Sequence, residues 1–169
     1  MARLLTLFFS RHLLLANTSI ACLIDGLGDY LEQKLEGAEC LDGARTARFA
    51  SLGLLFGPWE HYWYRVLDSR LPGKATRVVA SKVLLDQFLM SPAEYAVFYV
   101  GLTRMEGHTF TDGLDELKDK FWPTYKVDLM VWPLAQMLNF YFLPPMFRML
   151  FVNIVHLCWI IFLSYMKHS

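Results

Sequence analysis

Charge is nearly missing from one long part of this chain. Between Leu129 and Met166 the only formally charged side chain is Arg148. At about 20 apolar helical residues per crossing, that stretch is long enough to traverse a bilayer twice. Cysteine is scarce as well. Cys22, Cys40 and Cys158 stand far apart and form no CxxC, which argues against a metal-ligand set and for free thiols. Net charge is absent, with 16 Lys and Arg against 16 Asp and Glu. No global field therefore favours nucleic acid or an acidic partner. No HExxH and no P-loop occurs.

What is present is apolar bulk. Hydrophobic residues make up 55% of the 169 residues, aromatics 15% and charged residues 19%, against roughly 25% charged in a soluble domain. Mean hydropathy is +0.31. The length suits a single domain, 1–169, in which four or five helices use nearly the whole chain. The reading is an all-α, multi-pass transmembrane helix bundle, with the lipid bilayer as its first partner. The N-terminal stretch has Arg3, Arg11 and His12 but no acid before Asp25. Arg3 and Arg11 share one broad helical side, opposite Leu4, Leu7 and Phe8. That pattern fits a mitochondrial targeting segment and equally the basic flank of a first membrane helix.

Periodicity and punctuation predict a first helix over about Leu4–Leu35 and a loop over Glu36–Gly43. A second helix runs from an N-cap near Asp42 to Ser69, followed by a turn at Leu71-Pro72-Gly73-Lys74. A third spans about Thr76–Arg104, with Pro92 as a candidate kink, and Gly107–Gly113 reads as a loop. Leu114, Leu117, Phe121 and Tyr125 then recur at helical spacing among Asp115, Glu116, Lys118, Asp119 and Lys120. This predicts one amphipathic interfacial helix, or else a helix packed on a core. Pro123 predicts a break there. A fourth helix is expected over Pro123–Leu143, bent at Pro133, and a last over Pro145–Lys167. Arg65, Arg70, Lys74, Arg77 and Lys82 on one connection nearly balance Lys118, Lys120, Lys126, Arg45 and Arg48 elsewhere, so charge sets no orientation.

Polar residues gather on helical faces. Thr18, Cys22, Asp25, Asp29 and Glu32 or Gln33 share one. Ala50, Gly53, Gly57, His61 and Tyr64 share another, with Glu60 adjacent. Gly53 and Gly57 form a GxxxG that admits a close neighbouring helix, within one subunit or between two, so a second copy of the chain is a candidate partner. Lys82 and Asp86, four apart, can pair, with Gln87 beside them. Asp128, Trp132, Gln136 and Asn139 align, as do Asn153 and His156. A lone charge at the centre of a membrane helix costs roughly 2.5–3.5 kcal/mol. These residues must then face one another or water. Two readings follow, an interior polar network that glues the bundle and a water-filled path. Gly26-Leu27-Gly28-Asp29 matches the Gly-x-Gly-Asp string of intramembrane aspartyl proteases. Their Tyr-Asp motif on a preceding helix is missing, and the chemistry needs a second facing Asp. The chain is therefore not read as an enzyme, and no cofactor or metal is expected.

In their order and spacing these strings resemble a known family. They are Gly28-Asp29 with Gln33; Asp42, Arg45 and Arg48; Gly57-Pro58, His61, Trp63-Tyr64 and Leu67-Asp68; Lys82, Asp86-Gln87 and Pro92; then Trp132-Pro133, Gln136, Asn139-Phe140, Pro144, Arg148, Trp159 and Leu163-Ser164. The succession covers nearly the whole chain. It is similar to the family of the mitochondrial inner-membrane protein Mpv-seventeen and the twenty-two-kilodalton peroxisomal membrane protein, and looks closest to its branch called Mpv-seventeen-like protein two. Departures are local: Leu13-Leu14-Leu15 stands where the family often has proline, Pro123 interrupts the amphipathic segment, and no Asn follows Trp159. The resemblance implies a mitochondrial inner-membrane protein, with the peroxisomal membrane as the alternative, and no established enzyme activity. For the branch it implies support of mitochondrial ribosome assembly and translation, with ribosomal subunits as partners. The alternative is a small, weakly selective channel for ions or metabolites. The residues expected inside the bundle are Asp29, Gln33, His61, Tyr64, Lys82, Asp86, Gln87, Gln136, Asn139 and Arg148. Arg65, Arg70, Lys74 and Arg77 are the expected ribosome or lipid contacts, because phosphate recognition needs clustered cations.

Overall fold

The computed structural model describes residues 13–73, 75–142 and 145–169, and these are helical apart from short connections. The basic N-terminal segment, Lys74, and the side chains of Asn139 and Arg148 lie outside the described residues. Helix α1 is Leu13–Leu35 and α2 is Gly43–Arg70. Helix α3, Thr76–Leu85, passes without interruption through a π-helical turn, Asp86–Met90, into α4, Ser91–Met105. Helix α5 is Phe110–Phe142 and α6 is Pro145–His168.

Local chemistry sets these ends. Helix α1 closes on Gly37, whose φ of 78° favours glycine. The Ala38 N–H donates to the Gln33 carbonyl and the Gly37 N–H to that of Lys34, which is a Schellman closure. Asp42 caps α2, accepting from the N–H groups of Arg45 at 3.0 Å and Ala44 at 2.9 Å. The Arg45 N–H above all, helped by that of Ala44 and by the Arg48 and Arg45 charges, holds the Asp42 carboxyl below its ordinary pKa against the opposing effect of desolvation. Thr109 and Asp112 cap α5 reciprocally, each side chain accepting the other's backbone N–H. That exchange starts α5 at Phe110, inside the segment expected to be loop.

Helix α1 packs along α2 and α6, and α5 along α4 and α6. Between them lies an aromatic and aliphatic core that includes Phe49, Leu52, Tyr95, Phe98, Tyr99, Leu102, Tyr125, Trp159 and Leu163.

One expectation needs correction here. Pro123 does not break the chain, and Leu114–Trp122 is not a separate interfacial helix but the first part of α5. Proline removes one helical N–H and crowds the carbonyl four residues earlier. At Pro123 both are cheap, because Pro123 and Asp119 are exposed. On the buried side the helix is held across the proline. Phe121 and Tyr125 stack at 5.2 Å and both meet Tyr95 edge-on at 6.4 Å. The Thr124 and Tyr99 hydroxyls share a 2.6 Å hydrogen bond. The stripe Leu117, Phe121 and Tyr125 thus packs on the bundle core.

Candidate functional site

Two ionic clasps hold one end of the bundle, and α6 takes part in both. In the first, Arg45 of α2 reaches four side chains. Its Nε donates to Asp29 Oδ1 at 2.8 Å, Nη1 to Glu36 at 2.7 Å, and Nη2 to Glu32 and to Ser164 Oγ of α6 at 2.9 Å. Ser164 in turn donates to Asp29 at 2.7 Å. The other Asp29 oxygen accepts from Gln33 at 2.9 Å and Thr46 at 2.7 Å. Gln33 also bridges the α1–α2 connection, accepting the Asp42 N–H at 2.7 Å. Asp29 is wholly buried and fully hydrogen-bonded. The second clasp encloses Lys167, which donates to Thr103 at 3.0 Å and pairs with Glu116 at 2.7 Å and Glu106 at 2.8 Å. Lys120 donates to the Lys167 carbonyl at 2.6 Å.

Beyond the clasps the interior opens into a cavity of about 740 Å³. Every helix contributes to its wall, and five carboxylates line its interior, Asp25, Glu60, Asp86, Glu94 and Asp128, with a sixth, Asp68, at its edge. Phe49 separates the cavity from the Arg45 clasp. It is fully buried one turn after Arg45, edge-on to Phe98 at 5.6 Å and 6.0 Å from the His168 ring. The exposed Tyr64, Arg65 and Asp68 also line the cavity and form its mouth. Three carboxylates have partners. Asp25 meets His156 Nε2 at 3.1 Å, Asp86 accepts from Trp63 Nε1 at 2.9 Å and Tyr64 OH at 3.0 Å, and Asp128 Oδ1 accepts from Tyr95 OH at 2.5 Å. The π turn places Gln87 inward, and its backbone carbonyl accepts the Tyr125 hydroxyl at 2.8 Å.

Around its apolar core the molecule buries several acids and exposes many large apolar side chains, the reverse of the usual surface of a soluble protein. Asp29 and Asp128 are at most 1% exposed, whereas Leu23, Met130 and Phe142 exceed 70%. Among the described residues one helix segment, Phe151–His168, is long and apolar enough to cross a membrane by length and composition.

The sequence-predicted residues divide between these features. Asp29 and Gln33 sit in the first clasp. His61, Tyr64, Asp86, Gln87 and Gln136 line the cavity. Gly53 and Gly57 pack within the chain, against the α1 backbone at Cys22 and Thr18. Arg65, Arg70 and Arg77 are exposed about the α2–α3 connection. Lys82 and Asp86 do not pair. Asp86 begins the π turn, and the Trp63 and Tyr64 donors of α2 take its carboxylate, leaving Lys82 to reach Asp68 at 2.5 Å. Asp68 is 74% exposed. A double-mutant cycle on Lys82 and Asp68 should therefore give a coupling of about 1 kcal/mol or less. A coupling of several kcal/mol would mean that the pair is enclosed.

The sequence reading missed Glu94 as a cavity residue and Lys167 as a clasp centre. A lone acid between Pro92 and the apolar run Tyr95–Val100 was the available signal for Glu94. For Lys167 there was none, because its partners lie on α4 and α5.

Comparison with known proteins supplies the chain's relatives. Residues 103–164 match the Mpv17 / PMP22 family. An Mpv17-like protein of Xenopus laevis is 33% identical over 98% of this chain and 82% of its own length. The mitochondrial inner membrane protein Mpv17 of Caenorhabditis briggsae is 32% identical over 92% of this chain and 87% of its own. Peroxisomal membrane protein 2 of Bos taurus is 28% identical, covering 89% and 81% respectively. No solved structure matches. The two membranes expected from the sequence are the ones these relatives' names carry.

Proposed function

Because the chain belongs to the Mpv17 / PMP22 family, we propose that it is a multi-pass protein of the mitochondrial inner membrane whose cavity serves as a weakly selective path for small solutes. The peroxisomal membrane is the alternative site. The observation that carries this reading is the joint distribution of polarity. Carboxylates line an internal space of about 740 Å³ while Leu, Phe and Met cover the outside. In hydrocarbon, ionisable residues are tolerated where they face a protein interior or water. Helices α1, α2, α4 and α5 each turn an acid inward, which supports their crossing the bilayer despite their charges. The reading assigns no catalysis to the chain, and its partner is lipid.

The test is permeation. Purified protein in liposomes should release trapped solutes of metabolite size and retain a large dextran, where protein-free liposomes retain both. Retention of both by protein-containing liposomes, with insertion verified, would overturn the reading. A second reading, support of mitochondrial ribosome assembly and translation, is favoured by the exposed Arg65, Arg70 and Arg77. It predicts salt-sensitive co-sedimentation with ribosomal subunits. Co-sedimentation without solute release would select it.

A further inference from the structure

Two acceptor atoms in the cavity wall have no donor. Gln87 Oε1 and Asp128 Oδ2 are buried and lack a hydrogen-bond partner, although both residues line the cavity and are at most 4% exposed. An unmet buried acceptor costs on the order of 1–3 kcal/mol, so such pairs mark the place of something that donates. The surrounding charge points the same way. Among the described residues Glu60 and Glu94 have no ion-pair or hydrogen-bond partner, and no Lys or Arg pairs with any of the five interior carboxylates; the one such pair at the cavity is Lys82 with Asp68 at its mouth.

The spacing of the acids decides what kind of cation they suit. A bare metal ion needs several ligands converging on one point. Among the described residues no three His, Cys, Asp or Glu side chains are grouped to hold one. The acids are distributed around the space, one on each of five segments. Between them the wall is aromatic, with Tyr95 and Trp132 each about 6.4 Å and 6.3 Å from Trp159. Acceptors on different helices that do not converge on one point, in a wall that also carries aromatic side chains, match a chain of methylenes carrying more than one ammonium group. Ammonium donates to carboxylate and amide oxygens and is attracted to ring faces.

We propose that the cavity binds an aliphatic polyamine, with ammonium groups at Asp128 and Gln87 and at Glu94. The inference rests on the cavity being open to solution, as the permeation reading requires, and not on conduction.

Trp132 and Trp159 in the wall provide a local readout. Titrating spermidine into the detergent-solubilised full chain should change tryptophan emission saturably at one equivalent, and 1,4-butanediol should not. Asp128→Asn and Glu94→Gln, made separately, should each weaken binding about tenfold, with the helical circular dichroism unchanged. Definite results would overturn the proposal. They are no saturable response, undiminished affinity in both variants, and calcium ion displacing spermidine at lower concentration than spermidine itself requires. Many weak equivalents would also count against it, because they would place the amine on outer carboxylates. Binding without solute release from liposomes would remove the permeation reading and leave this one. Release without binding would do the reverse.

Discussion

Arg45→Ala should be among the most damaging single substitutions in this chain, costing about 3–5 kcal/mol, the range for breaking a buried ion pair by removing one partner. Arg45 is the cation that Asp29 and Glu32 share, and both carboxylates are almost wholly buried. Without it, two acids one turn apart face each other, and Ser164 loses its donor. Glu36 is about one-third exposed and adds little. Arg45→Lys should recover only part of the loss, because an ammonium cannot present the planar fork that reaches Asp29, Glu36 and Glu32 from separate nitrogens. Lys118→Ala, which breaks a pair that is mostly exposed on both sides, should leave stability unchanged. Thermal unfolding of the solubilised variants, followed by circular dichroism, checks the ranking. An Arg45→Ala protein melting with wild type would mean that the clasp does not hold α1 to α2.

The second large effect is expected at the helix crossing. A β-carbon on Gly53 would lie 2.6 Å from the Cys22 backbone nitrogen, and one on Gly57 would lie 2.6 Å from the Thr18 Cα. These neighbours are main chain, so relief requires α1 and α2 to separate. In an open helix, exchanging glycine for alanine gains up to about 1 kcal/mol from lost backbone freedom. Here the overlap should outweigh that gain, giving a net loss of about 1–3 kcal/mol at each position. Gly101 is the matched control. Its β-carbon would sit 3.7 Å from Leu52 Cδ2, an ordinary contact, so Gly101→Ala should be neutral or stabilising. The opposite signs are the test, and a stabilised Gly53→Ala would refute the close crossing.

Features set by local chemistry were legible in the sequence. The Asp42 cap, the glycine-bearing ends of α1 and α4, and the GxxxG contact each depend on a few neighbouring residues. Features decided by competition between helices were not. Helical spacing alone pairs Lys82 with Asp86, but the indole of Trp63 and the phenol of Tyr64 reach Asp86 from another helix. Pro123 reads as a stop, yet the Tyr99–Thr124 and Phe121–Tyr95 contacts carry α5 through it. The polar faces were also visible, including the alternatives of glue and path. The structure places the residues of those faces in two different settings. Asp29 and Gln33 are bound into a network, whereas Asp86, Gln87 and Gln136 border open space. That division depends on where Phe49 falls, and spacing along one helix does not reveal it.

The two clasps also impose an order on synthesis. A chain leaves the ribosome N-terminus first, at roughly 5–20 residues per second. Arg45 follows Asp29 and Glu32 closely, so α1 and α2 can neutralise each other as a hairpin. Glu106 and Glu116 must wait for Lys167, and Ser164 arrives almost as late. Until then Glu106 waits for its cation, and α6 is the piece that completes both clasps at once. A stall or premature stop before Ser164 would therefore leave a nascent protein with every other helix already made, the Lys167 clasp open and the Arg45 clasp without its tie to α6.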